Sequence, residues 1–259
     1  MTTILTHDEI RRTAPAAFAT DESVKMSERY NFVNTASILE KLESNGFFPV
    51  QAVQDKPRQR DPMTVRHSII LRPEEYDIAE GEVAPQILLV NSHNGRTKLR
   101  LFAGFYRFIC CNGLVVGDDK FTLEIGHAER IAGNIEQYID GFGTQVGDLN
   151  SRMRRWSQIN LSEMDMVAFA REAAEIRFGS QMKSAFELSD ILEARRTEDE
   201  GSTLWQVYNR VQENATKGGI HGKTASGRAT TSRALTAIGA DIDFNRNLWA
   251  LAERVAEAA

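Results

Sequence analysis

Apolar residues recur at helical spacing between positions 31 and 45. Phe32, Ala36, Leu39 and Leu42 share one face there, and Asn45-Gly46 supplies a stop. The spacing predicts a helix. The pattern then turns extended. Phe47–Gln54 (FFPVQAVQ) reads as a strand, and the charged, proline-bearing run at 55–62 reads as a loop. Three more strand-like stretches follow at Met63–Leu71, Pro85–Val90 and Thr97–Ile109. Asn94-Gly95, between the last two, is the strongest hairpin signal in the chain. In the third stretch Leu99, Leu101, Ala103 and Phe105 alternate with Lys98, Arg100 and Phe102, and Gly104 marks a bend or bulge. Asn112-Gly113 offers a second turn ahead of Leu114-Val115-Val116. An antiparallel sheet over about 47–125 follows.

From His127 the helical period returns. Ile131, Ile135, Tyr138 and Phe142 line one face, and Val146, Leu149, Met153 and Trp156 continue it with a shift near Gly141 and Gly143. Ser162-Glu163-Met164-Asp165 resembles a capping box before Met166–Phe178. Helices are predicted at Thr203–Thr216 and Phe244–Ala258, with a basic, Gly/Thr/Ser-rich flexible loop over 217–240 between them. The first 29 residues are polar, lack a sustained period and read as a flexible arm. The order helix, strands, helices, without internal repeats, predicts an α+β fold whose sheet packs on helices and whose C-terminal half is mostly helical. The expected division is an arm at 1–29, a sheet domain at 30–160 and a helical region at 161–259.

Composition narrows the class. The chain has 259 residues, 42% of them hydrophobic and 26% charged, ordinary globular values. No apolar run nears the roughly 18 residues of a membrane span. The opening MTTILTHDEIRR lacks a signal-peptide core, and the adjacent Cys110 and Cys111 cannot build a disulfide framework. A cytoplasmic protein with no membrane partner is expected.

Charge is more informative. The formal net charge is −5, yet no acidic residue lies between Glu82 and Asp118, a stretch that carries Arg96, Lys98, Arg100 and Arg107. A second acid-free stretch, Asn214 to Ala240, carries Lys217, Lys223, Arg228 and Arg233. A third cluster, Arg152, Arg154 and Arg155, adjoins Trp156. Such islands suit the phosphates of a nucleic-acid backbone; a solvated face is the plainer alternative. Phe102, Tyr106 and Phe108 share the parity of Arg100, so they face either a base-stacking groove or a packed helix.

Catalytic chemistry is harder to find. In Lys217-Gly218-Gly219-Ile220-His221-Gly222-Lys223-Thr224 only three residues separate Gly218 from Gly222, and a helix precedes them, so the P-loop arrangement is absent. His67, His93, Cys110, Cys111 and His127 fall in the sheet region without CxxC or HxxxH spacing, so no zinc site, and no cofactor, is expected. The acids Glu187, Asp190, Glu193 and Glu198–Glu200, placed on a helix and its polar tail, match no nuclease or hydrolase motif.

Several strings together point to a family. They are Leu89-Val90-Asn91-Ser92-His93-Asn94-Gly95, then Phe108-Ile109-Cys110-Cys111-Asn112-Gly113-Leu114-Val115-Val116-Gly117, and then Thr203–Asn214 (TLWQVYNRVQEN) with Lys217-Gly218-Gly219. Over about 85–255 the chain resembles the phage- and plasmid-like family known as domain of unknown function nine-three-two. That resemblance implies a prophage or mobile-element setting. In element order the chain also resembles the ring-forming single-strand annealing proteins of recombination, which implies DNA held in a basic groove between sheet and helices. The resulting expectation is a non-enzymatic, homo-oligomeric binder of single-stranded nucleic acid from a phage, prophage or plasmid. The alternatives are a protein-interaction factor that inhibits a host defence system, and a nuclease with an unrecognised site.

Overall fold

The computed structural model describes residues 3–20, 32–57, 61–73, 83–94, 98–107, 112–115, 122–125, 131–179 and 184–259. The chain divides into two compact units, residues 1–146 and 147–259. The boundary lies inside one helix rather than near position 160.

The first unit is built on a six-stranded antiparallel sheet. Its strands are β1 (Phe47–Gln54), β2 (His67–Pro73), β3 (Val83–Asn91), β4 (Leu99–Arg107), β5 (Asn112–Val115) and β6 (Thr122–Ile125). They run β1-β2-β3-β4-β5, with β6 also paired to β4. Pro49 sits in the edge strand β1, where a missing N–H is tolerated, and the register shifts between Pro49 and Gln51. The central strands are buried on both faces: Ile87, Leu88, Leu89 and Val90 on β3 and Leu99, Leu101, Phe102 and Ala103 on β4 are all at most 8% exposed. The predicted sheet is therefore present, with two local corrections. Strand β2 begins at His67, because Asp61 and Thr64 close a turn ahead of it (Thr64 N–H to Asp61 O, 3.0 Å). Asn112-Gly113 belongs to β5, paired with Arg107 and Tyr106, so the connection falls at 108–111, outside the described residues, as does Gly95.

Two helices pack on this sheet. Helix α2 (Thr35–Ser44) starts at an Asn34 cap that accepts the Ser37 N–H and stops at Gly46, whose φ is +83°. The N-terminal stretch is not an arm along its described length. A capping box between Thr6 and Glu9 opens helix α1 (His7–Thr13), and a 3₁₀ turn follows at Pro15–Phe18. Ile10, Ala14, Ala16 and Ala17 are wholly buried, and the Leu5 N–H donates to Pro49 O at 2.7 Å. Small alanines make this core, so the usual pattern of large apolar residues is missing.

Helix α3 (Ile131–Trp156) runs as one 26-residue helix through Gly141 and Gly143. The second unit continues with α4 (Glu163–Phe178), β7 (Ser184–Phe186), α5 (Leu188–Leu192), α6 (Leu204–Lys217), β8 (His221–Thr224), β9 (Ala229–Thr231) and α7 (Ile238–Ala258). The predicted Ser162–Asp165 capping box starts α4, and a second one, Thr203 with Gln206, starts α6. Trp156, Tyr208 and Trp249 are all at most 1% exposed and form the core, with the Trp156 and Trp249 rings 4.4 Å apart. Helix α7 starts six residues earlier than predicted because Ile238 and Ile242 extend its buried face.

The stretch at 217–240 holds a β hairpin at 221–231 and the ends of two helices rather than a loop throughout. Strands β7-β8-β9 form a small antiparallel sheet, and the tip turns at Gly227 (φ +79°), with the Thr224 N–H donating to Arg228 O at 2.8 Å. Gly222 lets β7 approach closely, because a Cβ there would overlap Ala185 O. Gly218 ends α6 at φ +72°, where a Cβ would lie 2.6 Å from the Arg233 carbonyl carbon.

Candidate nucleic-acid interface

The basic island of the first unit is less basic in space than in sequence. Antiparallel pairing sets Arg100 opposite Glu124 on β6. The Arg100 Nε lies 2.7 Å from Glu124 Oε1, and the Lys98 Nζ lies 3.5 Å from Oε2. One carboxylate from beyond the acid-free stretch thus serves both cations. Phe102 is 1% exposed, so it packs in the core and cannot stack on a base. Arg96 and Phe108 lie outside the described residues, as do the side chains of Phe105, Tyr106 and Arg107.

The Leu89–Asn94 string is also internal. Asn91, Ser92 and His93 are wholly buried beside Thr35 and His67. The Asn91 amide donates to Thr35 Oγ1 at 3.0 Å and to Val33 O at 3.2 Å. Its partner hydroxyl then donates to His67 Nε2 at 2.9 Å, while His67 Nδ1 donates to Val65 O at 3.2 Å. His93 Nε2 donates to Ala16 O at 3.0 Å. These bonds tie the N-terminal turn and the start of α2 to the sheet. The two imidazole rings are 5.3 Å apart. Burial first, and His93 second, push His67 down to about 3, against the pull of its bond to Val65. Cys110, Cys111 and His127 are outside the described residues, among which no group of three His, Cys, Asp or Glu side chains could hold a metal.

The second unit sorts its cations into held and open ones. On α3, Arg152 pairs with Glu253 at 3.3 Å, Arg155 donates to Ala256 O, and Arg154, though exposed, is engaged as well. Lys217 and Arg196 converge on Glu213, which is 3% exposed. Burial pushes that carboxyl up, but its bonds to Lys217 and Arg196 outweigh burial and leave it below the usual range. Lys223 on β8, Arg228 beside the tip and Arg233 after β9 are exposed, and their charges meet no carboxylate among the described residues. His221, at the start of β8, leans on Asp190: Oδ2 accepts the His221 N–H and meets Nδ1, each at 2.7 Å. The backbone bond is the main reason that Asp190 sits below the usual carboxylate range.

The backbone N–H groups of the Gly218–His221 run are all spent internally, on Asn214 O, Ser232 O, Ser232 Oγ and Asp190, so no phosphate cradle of N–H groups exists there. Sequence reading passed over Arg195. It lies in an acid-rich stretch, yet its Nη2 donates to Gly218 O at 3.0 Å, at the root of the hairpin. No local pattern of charge marks it; only the fold brings it there.

The profile described as "Domain of unknown function (DUF932)" matches residues 24–249. Two Escherichia coli (strain K12) proteins, UPF0380 protein YfjQ and UPF0380 protein YafZ, are each 34% identical over 253 residues, which is 96% of this chain and 90% of each relative. No solved structure matches the chain.

Proposed function

The chain belongs to the DUF932 family, and from that premise we propose that it binds single-stranded nucleic acid without enzymatic turnover, as an annealing- or recombination-type protein. The carrying observation is the β8–β9 hairpin. It presents Lys223, Arg228 and Arg233 without a carboxylate partner among the described residues, in a chain of net charge −5. Exposed, unpaired cations gain most from a polyanion, because each phosphate they neutralise releases a condensed counterion. Lys98 and Arg100 are secondary contacts in this reading, since Glu124 stands between them. The test is fluorescence anisotropy of a labelled oligothymidylate at several salt concentrations. Changing Lys223 and Arg228 together to Ala should lower the slope of log affinity against log salt by roughly 1.4, about 0.7 for each lost single-strand contact. An unchanged slope, or no binding by the wild-type protein, overturns the reading. Mass photometry of the same samples reads the expected homo-oligomer.

One observation favours the second reading, a protein-interaction factor directed at a host defence component. Met164 is 83% exposed and Val167, one turn on, is 39% exposed, which leaves an apolar patch on α4. Loss of partner binding in Met164→Asp, with oligonucleotide affinity unchanged, would support it.

A further inference from the structure

We propose that Arg195 seats a phosphate group of the bound strand, as a pre-oriented cation at the root of the β8–β9 hairpin. The inference rests on the nucleic-acid reading above and extends it to a residue outside the basic islands.

In sequence Arg195 looks neutralised, because Glu187, Asp190, Glu193, Glu198, Asp199 and Glu200 surround it. In the fold its hydrogen bonds go to neutral acceptors. Its Nε donates to Asn214 Oδ1 and its Nη2 to Gly218 O. Two nearby acids are engaged elsewhere: Asp190 holds His221, and Glu213 holds Arg196 and Lys217. Arg195 forms no ion pair among the described residues, so its full charge is available.

The guanidinium is also held in place. Asn214 is 1% exposed, and its Nδ2 donates to Ile191 O and Glu193 O, both at 2.9 Å. With the amide hydrogens committed on that side, Oδ1 must face Arg195. Asn214 is therefore a positioning residue, fixed by α5 and its following turn. The approach is open as well. Gly219 is exposed and bears no side chain, and a Cβ at that position would lie 3.8 Å from Arg195 Nη2. A planar guanidinium held by two neutral acceptors, with nitrogen donors left over, is suited to an oxyanion and gives up little side-chain entropy on binding it. Lys223 and Arg228 lie on the hairpin that leaves from this point, within the same unit.

The experiment is the same oligothymidylate titration with Arg195→Gln, Arg195→Lys and Arg196→Gln, each checked for folding by thermal melting. Arg195→Gln should weaken binding roughly ten- to hundred-fold, the size of a charge-assisted hydrogen-bonded contact, and reduce the salt slope by roughly 0.7. Arg195→Lys keeps the charge but not the fork, so it should restore the slope without restoring full affinity. Arg196→Gln, whose charge is already paired, should keep the wild-type slope. Wild-type affinity and slope in Arg195→Gln overturn the seat, and so does an equal loss in Arg196→Gln, which would mean net charge alone. If the wild-type protein binds no oligonucleotide, the functional reading fails, a distinct result.

Discussion

Acidification should loosen the first unit through His67, and the size of the effect follows from its surroundings. His67 is 0% exposed, hydrogen-bonded in its neutral form to Thr35 and Val65, and 5.3 Å from a second buried imidazole. Its native value of about 3 lies below the 6.5 of an unfolded histidine. Between those values the unfolded chain binds a proton that the native one refuses, so stability present above pH 6.5 is lost as pH falls. From pH 7 to pH 5 the loss amounts to about 2 kcal/mol, since each unit of pH below the unfolded value removes about 1.4 kcal/mol. Amide hydrogen exchange of peptides covering β2 and β3, corrected for intrinsic pH dependence, reads this unit locally. His67→Asn should be less stable at pH 7 but should lack this pH-dependent part. If the wild type and His67→Asn differ in pH response by less than about 0.5 kcal/mol, the buried, uncompensated imidazole is wrong. The second unit should respond in the opposite sense. Burial raises Asp241 to about 6, against the pull of Asn245 and Arg177. Stability tied to its protonation is present below the unfolded 3.8 and lost as pH rises through 6, so going from pH 7 to 5 should strengthen this unit by about 1 kcal/mol. All three tryptophans lie in it, so their emission during urea unfolding reports that change.

Two further outcomes concern packing. Gly46 and Gly218 both have positive φ, but a Cβ at Gly46 meets nothing within 4 Å whereas one at Gly218 runs into the backbone of Arg233 and Ala234. Gly46→Ala should therefore cost about 1 kcal/mol and Gly218→Ala at least about twice that in urea unfolding; equal costs would refute the overlap. Tyr208 is 0% exposed and its hydroxyl has no protein partner among the described residues, so Tyr208→Phe should be neutral or stabilising by up to about 1 kcal/mol. A larger loss would show that the hydroxyl is hydrogen-bonded in solution.

The sheet was legible because its strands are apolar runs set between polar stretches, although Asn112-Gly113 lies within β5 and not in a turn, and α4 because Ser162 and Asp165 stand where a capping box requires them. The N-terminal helix carried the same signal in Thr6 and Glu9, but its buried residue is the single Ile10, and the alanines that complete this core belong to the turn after it, too few and too small to raise a periodic pattern. The hairpin at 221–231 was hidden by composition: Gly, Ser and Thr suggest a linker, while here Gly222 serves close strand packing and Gly227 a tight turn. The candidate site was half legible. Local charge picks out Lys223, Arg228 and Arg233, which the fold leaves exposed, but it could not show that Glu124 crosses the sheet to Lys98 and Arg100. Nor could it show that Arg195 escapes its acidic neighbours, since partner choice is made by the fold.

The bond from His93 to Ala16 spans 77 residues, and the one from Leu5 to Pro49 spans α1, α2 and the start of β1. During synthesis the segment at 5–19 leaves the ribosome before β1 and β2 exist to receive it. Closing so long a loop carries an entropic cost that no local contact offsets. Until those strands emerge, Ile10 and the alanines around it lack the face they pack on, and they present a sticky surface to whatever surrounds the nascent chain. The contacts of residues 5–19 thus wait for strands made after them, and a chaperone that shields that segment would act before the sheet has closed.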